Sequence, residues 1–242
     1  MHKLLSANLR RLMINKAFWI TVALMVCVEG FLCMLLTNQG PLPMDVVLFM
    51  SLQCMGVLIS VFFSLFLGTE FSDGTIRNKI IIGHKRNSVY LASFITGVIA
   101  VTIIYLAGVL TGGMIGLFIF APPIHSLEEI AIAGGIGWLA SISFVSIFTL
   151  IGMLSSSKAK TSILCILTAF ILVFAGLIIY ALLQGNPSAL LQFLIEFNPF
   201  GQTMQTVSIN IASPSRLAIY SLLLSATLNG VGMIAFSKKD LK

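Results

Sequence analysis

The sequence predicts an all-α polytopic membrane protein with six transmembrane helices, on three observations. Hydrophobic residues make up 58% of the 242 residues and charged residues only 9%, whereas a soluble domain carries about 25% charged residues. The apolar residues gather into six runs, each near the roughly 20 residues that cross a bilayer. Of the 14 basic residues, all but Arg216 fall in segments that lie on one side of those runs. A soluble enzyme, a disordered chain and a fibrous protein are excluded by the first observation, since a mean hydropathy of +1.05 leaves too little polar surface to wet a globule.

The elements follow in order. Residues 1–15 place Leu4, Leu5, Leu9, Leu12 and Met13 on one half of a helical wheel. Lys3, Ser6, Arg10 and Arg11 occupy the other half, with Asn8 as the exception. That pattern predicts an amphipathic helix lying in the membrane interface beside lipid headgroups. Ala17–Thr37 is the first span, too long for a signal-peptide core of about 7–15 residues and followed by no A-x-A-like site. Val46–Gly68, Val89–Phe120, Glu129–Leu154, Thr161–Leu183 and Arg216–Phe236 are the other five. Pro122-Pro123 closes the third.

Lys3, Arg10, Arg11 and Lys16, then Arg77, Lys79, Lys85 and Arg86, then Lys158 and Lys160, and finally Lys238, Lys239 and Lys242 flank these spans on one side. Asp45, Glu128, Glu129 and Glu196 lie in or beside the opposite loops. The positive-inside rule then places both termini in the cytoplasm, as a single transmembrane domain in the plasma membrane. The pI of about 9.3 is accounted for by topology, and no nucleic-acid partner is expected.

Four cysteines, Cys27, Cys33, Cys54 and Cys165, sit inside apolar runs without a C-x-x-C pair or clustered histidines, which predicts packing residues and no metal. Loop 69–88 is the most informative segment. Asp73 is an expected N-cap for a short helix from Gly74 to Ile82, with Gly83 as its C′ residue. Ile76, Ile80 and Ile81 fall on one side of that helix, Arg77 and Lys79 on another. Residues 184–213 form two apolar half-length pieces broken at Asn198-Pro199, which predicts re-entrant or interfacial outer helices.

Polar residues inside spans are site candidates by default. Glu29, Gln53 and Asn229 are assigned to a substrate pathway. Glu29 is expected to face the bundle interior or a dimer cleft and to meet a cationic substrate or Arg216, while Gln53 and Asn229 equally suit interhelical hydrogen bonds. Gly108, Gly112 and Gly116 form a G-x-x-x-G-x-x-x-G stripe for close helix packing. Trp19 and Trp138 are expected as interface anchors or packing residues.

The run from Glu70 through Thr75-Ile76-Arg77-Asn78-Lys79 to Gly83 and Arg86 resembles the first cytoplasmic loop of type-2 ABC exporter permeases. Asn198-Pro199-Phe200 is similar to that family's NPF-like element, and Phe236-Ser237-Lys238-Lys239-Asp240-Leu241-Lys242 to its F-x-[RK]-[RK]-D tail. The N-terminal helix resembles its elbow helix. The resemblance implies that Glu70, Asp73, Thr75, Ile76, Arg77, Lys79, Gly83 and Arg86 couple to an ABC ATPase subunit, present in two copies. It also implies a second permease copy or a related permease, and an outer gate at Asn198, Pro199 and Phe200. No G-x-x-x-x-G-K-[ST] occurs, so no cofactor is expected on this chain, and ATP and Mg belong to the partner subunit. The expected function is export of an amphipathic or hydrophobic substrate, such as a peptide toxin or antibiotic. Two other functions compete. One is a non-transporting membrane sensor or immunity protein. The other is an intramembrane enzyme using His125 with Glu128 and Glu129, against which stands the absence of H-E-x-x-H.

Overall fold

The computed structural model describes residues 1–37, 42–155 and 157–239. Asp240, Leu241 and Lys242, the end of the tail motif, lie outside the described residues. Eleven helices follow one another among the described residues: α1 (His2–Ile14), α2 (Lys16–Leu36), α3 (Met44–Val47), α4 (Leu52–Ser72), α5 (Thr75–Ile81), α6 (Arg86–Ile119), α7 (Leu127–Leu154), α8 (Lys158–Gly185), α9 (Ala189–Phe197), α10 (Pro199–Ser208) and α11 (Pro214–Lys238). Among the described residues six helical segments are long and apolar enough to cross a membrane, with α3 and α4 counted as one crossing. Most ends lie within three residues of the sequence expectation, and α4 runs four residues past Gly68, to Ser72. Ser126 closes a capping box with Glu129, and α7 therefore starts at Leu127.

The crossings are not equivalent. About two thirds of the most apolar window is buried in α3–α4 (61%) and in α7 (67%), but only 17–22% in α2, α8 and α11. A helix apolar on all sides is stable either inside the protein or against lipid. Here α4 and α7 form the interior, and α2, α8 and α11 keep their apolar sides outward. Phe18, Phe62, Phe63, Phe66, Phe144 and Phe148 are fully or almost fully buried between α2, α4 and α7.

Two expectations change. The second span is interrupted at its start, since α3 ends at Val47 and turn hydrogen bonds from Met50 to Val47 and from Leu52 to Phe49 precede α4. The N-terminal helix packs part of its apolar stripe on the protein: Leu4 and Leu12 are 3% and 0% exposed and join the main core, while Met13 of the same stripe is 46% exposed.

The glycine stripe explains how the interrupted helix is accommodated. A Cβ at Gly108 would lie 2.8 Å from Met25 Cε and from Ser51 Oγ, and one at Gly116 3.1 Å from Met44 Cβ. At Gly112 it would lie 2.7 Å from Glu29 Oε1 and 2.9 Å from the Leu48 carbonyl oxygen. The stripe thus seats α2 and the α3–α4 turn within one subunit. Gly112→Ala is expected to destabilise the protein by about 1–3 kcal/mol, the usual cost of overpacking. Gly135→Ala, where a Cβ meets nothing within 4 Å, is expected to be neutral or stabilising, as read by thermal unfolding of both variants in the same detergent.

Candidate functional site

The chemistry-bearing side chains gather at the two ends of the bundle. At the end carrying most basic residues, α4 delivers Glu70 into the protein at 1% exposure. A buried carboxylate is tolerated only when paired. Glu70 Oε1 accepts from the Arg11 guanidinium of α1 and from Lys79 Nζ of α5 at 2.7 Å. Lys79 Nζ also donates to Asn8 Oδ1 at 2.8 Å, so the one polar residue on the buried stripe of α1 has its partner. Arg11 donates as well to the Phe66 carbonyl and stacks 4.3 Å over the Phe66 ring. Three helices meet at one carboxylate, α1 from 59 positions away and α5 from nine.

Helix α5 hangs from this cluster. Its entry is not capped by Asp73, which closes α4 and accepts from the Ser72 hydroxyl at 3.1 Å. Gly74, at φ 64°, is the N-cap. A β-carbon would resist the left-handed backbone there. The exit follows the sequence expectation: Gly83 lies at φ 98°, with Gly83 N donating to Ile80 O at 2.9 Å and His84 N to Lys79 O at 3.2 Å, the Schellman pattern. Ile76 is buried and Thr75 half-buried, whereas Arg77, Asn78, Ile81 and Ile82 face outward. The apolar side is thus split, with Ile76 turned in and Ile81, at 70% exposure, turned out.

Arg86 is engaged within the chain. Its guanidinium donates to the carbonyls of Phe236 (3.4 Å), Ser237 (3.2 Å) and Lys239, satisfying the last carbonyls of α11. Lys239 Nζ in turn donates to Met153 O (3.2 Å) and Ser155 O (2.6 Å) at the end of α7 and sits 4.3 Å from the Phe71 ring centroid. Burial pulls its ammonium down to about 8.

Midway through the bundle, Glu29 is fully buried, and its Oε2 accepts from Ser51 N at 2.8 Å. That N–H is freed by the interruption of the second span. The expected contact with Arg216 is not made. Arg216 belongs to the opposite end and pairs with Glu196. Asn229 donates to Ser146 Oγ at 3.1 Å and to Ser225 O at 2.8 Å, an interhelical bond between α11 and α7. Gln53 is exposed. All four cysteines are free thiols, and Cys33 Sγ lies 3.9 Å from Glu29 Oε1. Trp19 donates to Met13 O and Trp138 to Thr102 Oγ1.

At the other end α9 and α10 form a hairpin whose apex is Asn198-Pro199. Asn198 Oδ1 accepts from Phe200 N at 3.0 Å and caps α10, while its Nδ2 donates to Leu172 O at 2.9 Å. Leu172 is midway along α8, so the apex reaches half the depth of that helix. Pro199 occupies the first helical position, where no N–H is needed. Gln202 donates to Glu196 O at 2.8 Å and accepts from the Ser221 hydroxyl. Phe200 is buried against Gly176. Between the hairpin, α4 and α8 opens a cavity of about 600 Å³ lined by Met50, Gln53, Tyr180, Gln192, Glu196 and Met204, among others.

One pair here is not anticipated from the sequence. Asp45, fully buried, accepts from Ile124 N (3.1 Å), His125 N (2.9 Å) and His125 Nδ1 (2.6 Å). His125 therefore engages Asp45, and Glu129 is held in the capping box by Ser126. Nothing in local spacing links positions 45 and 125. Arg11 was equally hidden, since on a helical wheel it falls among solvent-facing groups.

Fold and site together define an all-helical protein with six candidate membrane-spanning helices, one end organised by a buried acid between two cations and the other by a largely apolar cavity with a few polar groups. No protein-family model matches the sequence, and comparison with curated proteins returns no match. Glu70→Ala leaves the Arg11 and Lys79 charges facing each other. It is expected to cost about 3 kcal/mol, near the lower end for a broken buried pair because Arg11 is partly solvated. Limited proteolysis is expected to show new cleavage between Ser72 and Lys85.

Proposed function

We propose that the chain is the transmembrane permease subunit of an ATP-driven exporter of the type-2 ABC class, set in the bacterial plasma membrane with both termini in the cytoplasm. One observation carries this reading. A short helix, capped at both ends by left-handed glycines, projects between two crossings with Ile76 and Lys79 fastened inward and Arg77, Asn78, Ile81 and Ile82 outward. Such a rigid, half-apolar and half-basic knob suits a groove on another protein. The gathering of basic groups around it supports a cytoplasmic placement.

ATP and Mg bind a separate ATPase subunit, two copies per complex, and a second permease copy or a related permease completes the membrane unit. A push on α5 reaches α4 through Lys79 and Glu70 and reaches α1 through Arg11 and Asn8. Rigid-body movement of these helices is the transmitted event. In this reading α1 is the elbow helix, the α9–α10 hairpin is a re-entrant outer gate, and the cavity at Gln53 and Glu196 receives an amphipathic or hydrophobic substrate, a peptide toxin or antibiotic among them.

Purification from native membranes in mild detergent is expected to recover an ATPase subunit with the chain. Arg77→Glu, or the pair Ile81→Asp and Ile82→Asp, is expected to reduce the recovered ATPase about tenfold, the equivalent of roughly 1.4 kcal/mol, with no change in unfolding temperature. Isolation of the chain as a complete and active unit without any ATPase would refute the proposal.

A further inference from the structure

A second cavity, about 440 Å³, opens at the acidic end beside the α6–α7 loop. His125, Glu129, Ser208 and Asn210 supply its polar lining, while Ile132, Ile209, Ile211 and Pro214 supply an apolar wall. No Lys or Arg lines it. Arg216, two residues after the lining Pro214 on α11, pairs with Glu196.

Three of the four polar groups offer acceptors, and Asn210 adds a carboxamide that both donates and accepts. A carboxylate only accepts, so Asp45, at 2.6 Å from His125 Nδ1, holds the proton of the neutral imidazole on that nitrogen and leaves Nε2 as its lone-pair acceptor. Glu129 presents a carboxylate of which Oε2 is occupied by the Ser126 N–H and hydroxyl, leaving Oε1 free to accept. Ser208, which lines this cavity and the larger one, spends its hydroxyl proton on Gln205 O at 3.1 Å, so its oxygen is left to accept. Three acceptors on one cavity lining, beside an aliphatic wall, suit a primary ammonium on a short alkyl chain.

We infer that this cavity binds the alkylammonium side chain of a lysine-type group, with Glu129 as counter-ion, His125 Nε2 and Ser208 Oγ as acceptors, and Ile132, Ile209 and Ile211 against the methylenes. The inference deepens the exporter reading by naming the cationic group that an amphipathic substrate would present at the outer face. It rests on that reading only for its biological meaning, because binding is measured on the chain alone.

The test titrates the detergent-purified full chain with Nα-acetyl-lysine amide and, separately, with the uncharged Nα-acetyl-norleucine amide, followed by ligand-observed NMR. The lysine probe is expected to bind saturably and the norleucine probe not. Glu129→Gln is the informative variant, because glutamine serves equally at the third position of a capping box and the fold is retained while the charge is lost. Its affinity for the lysine probe is expected to fall about tenfold, as for loss of a charged hydrogen-bond partner. Glu128→Gln removes the same charge outside the cavity and is expected to leave binding unchanged. Equal binding of the two probes, equal loss in both variants, or no saturable binding would overturn the inference. Probe binding by a chain that recovers no ATPase would overturn the exporter reading alone.

Discussion

A carboxylate sealed inside an apolar bundle must find hydrogen-bond donors within the protein, and Glu29 finds its donor in the backbone of another helix. The Ser51 N–H is available only because the second crossing is interrupted between Val47 and Leu52. The interruption is tolerable only because Glu29 accepts that N–H. Neither feature is stable alone. Their joint volume then requires a β-carbon-free surface opposite, which Gly108, Gly112 and Gly116 of α6 provide. Acid, turn and glycine stripe are one structural unit drawn from three helices.

The helix that starts at this unit ends at a second buried acid of the same bundle, Glu70. α4 runs from Ser51, held by Glu29, to Glu70, held by Arg11 and Lys79. Its middle carries Phe62, Phe63 and Phe66 into the core. The most buried side of the protein is therefore pinned at both ends by electrostatics and in the centre by aromatic packing. Movements imposed on α5 have few soft places in which to dissipate before reaching that helix. Softer geometry lies at the acidic end, where α9 and α10 meet at an extended Asn198 and Ile209 adopts a left-handed backbone at φ 51°, a conformation that a β-branched residue resists.

The number and approximate ends of the crossings are legible in the sequence, because the bilayer sets a length and the local caps set the limits. Ser126 with Glu129, Gly83 after Ile82, and Pro199 after Asn198 each act within four residues of the backbone they shape. What escapes is whatever depends on a distant partner. Val46–Gly68 is continuously apolar and holds no proline, so its interruption is invisible without Glu29, 22 positions from Ser51. Arg11 has the periodicity of a solvent-facing cation, yet its length lets it reach Glu70, 59 positions away. Asp73 carries the residue type of an N-cap, but the left-handed Gly74 shifts the start of α5 by one residue and leaves Asp73 closing α4. The same limit covers Asp45 and His125.

The separation of the ion pairs along the chain has a consequence for how the protein is made. Synthesis proceeds from the N-terminus, so each acid enters the membrane machinery with its counterpart either already present or still to come. Glu70 follows Arg11 and precedes Lys79 by nine residues, and it is neutralised almost as soon as it emerges. Asp45 must wait for His125, 80 residues later. Glu196 must wait only 20 for Arg216. The Glu70 cluster is thus the first of these ion pairs to be completed. The clasp between Asp45 and His125 closes only after two further crossings have been laid down, and the Arg86 and Lys239 contacts wait for the end of the last one.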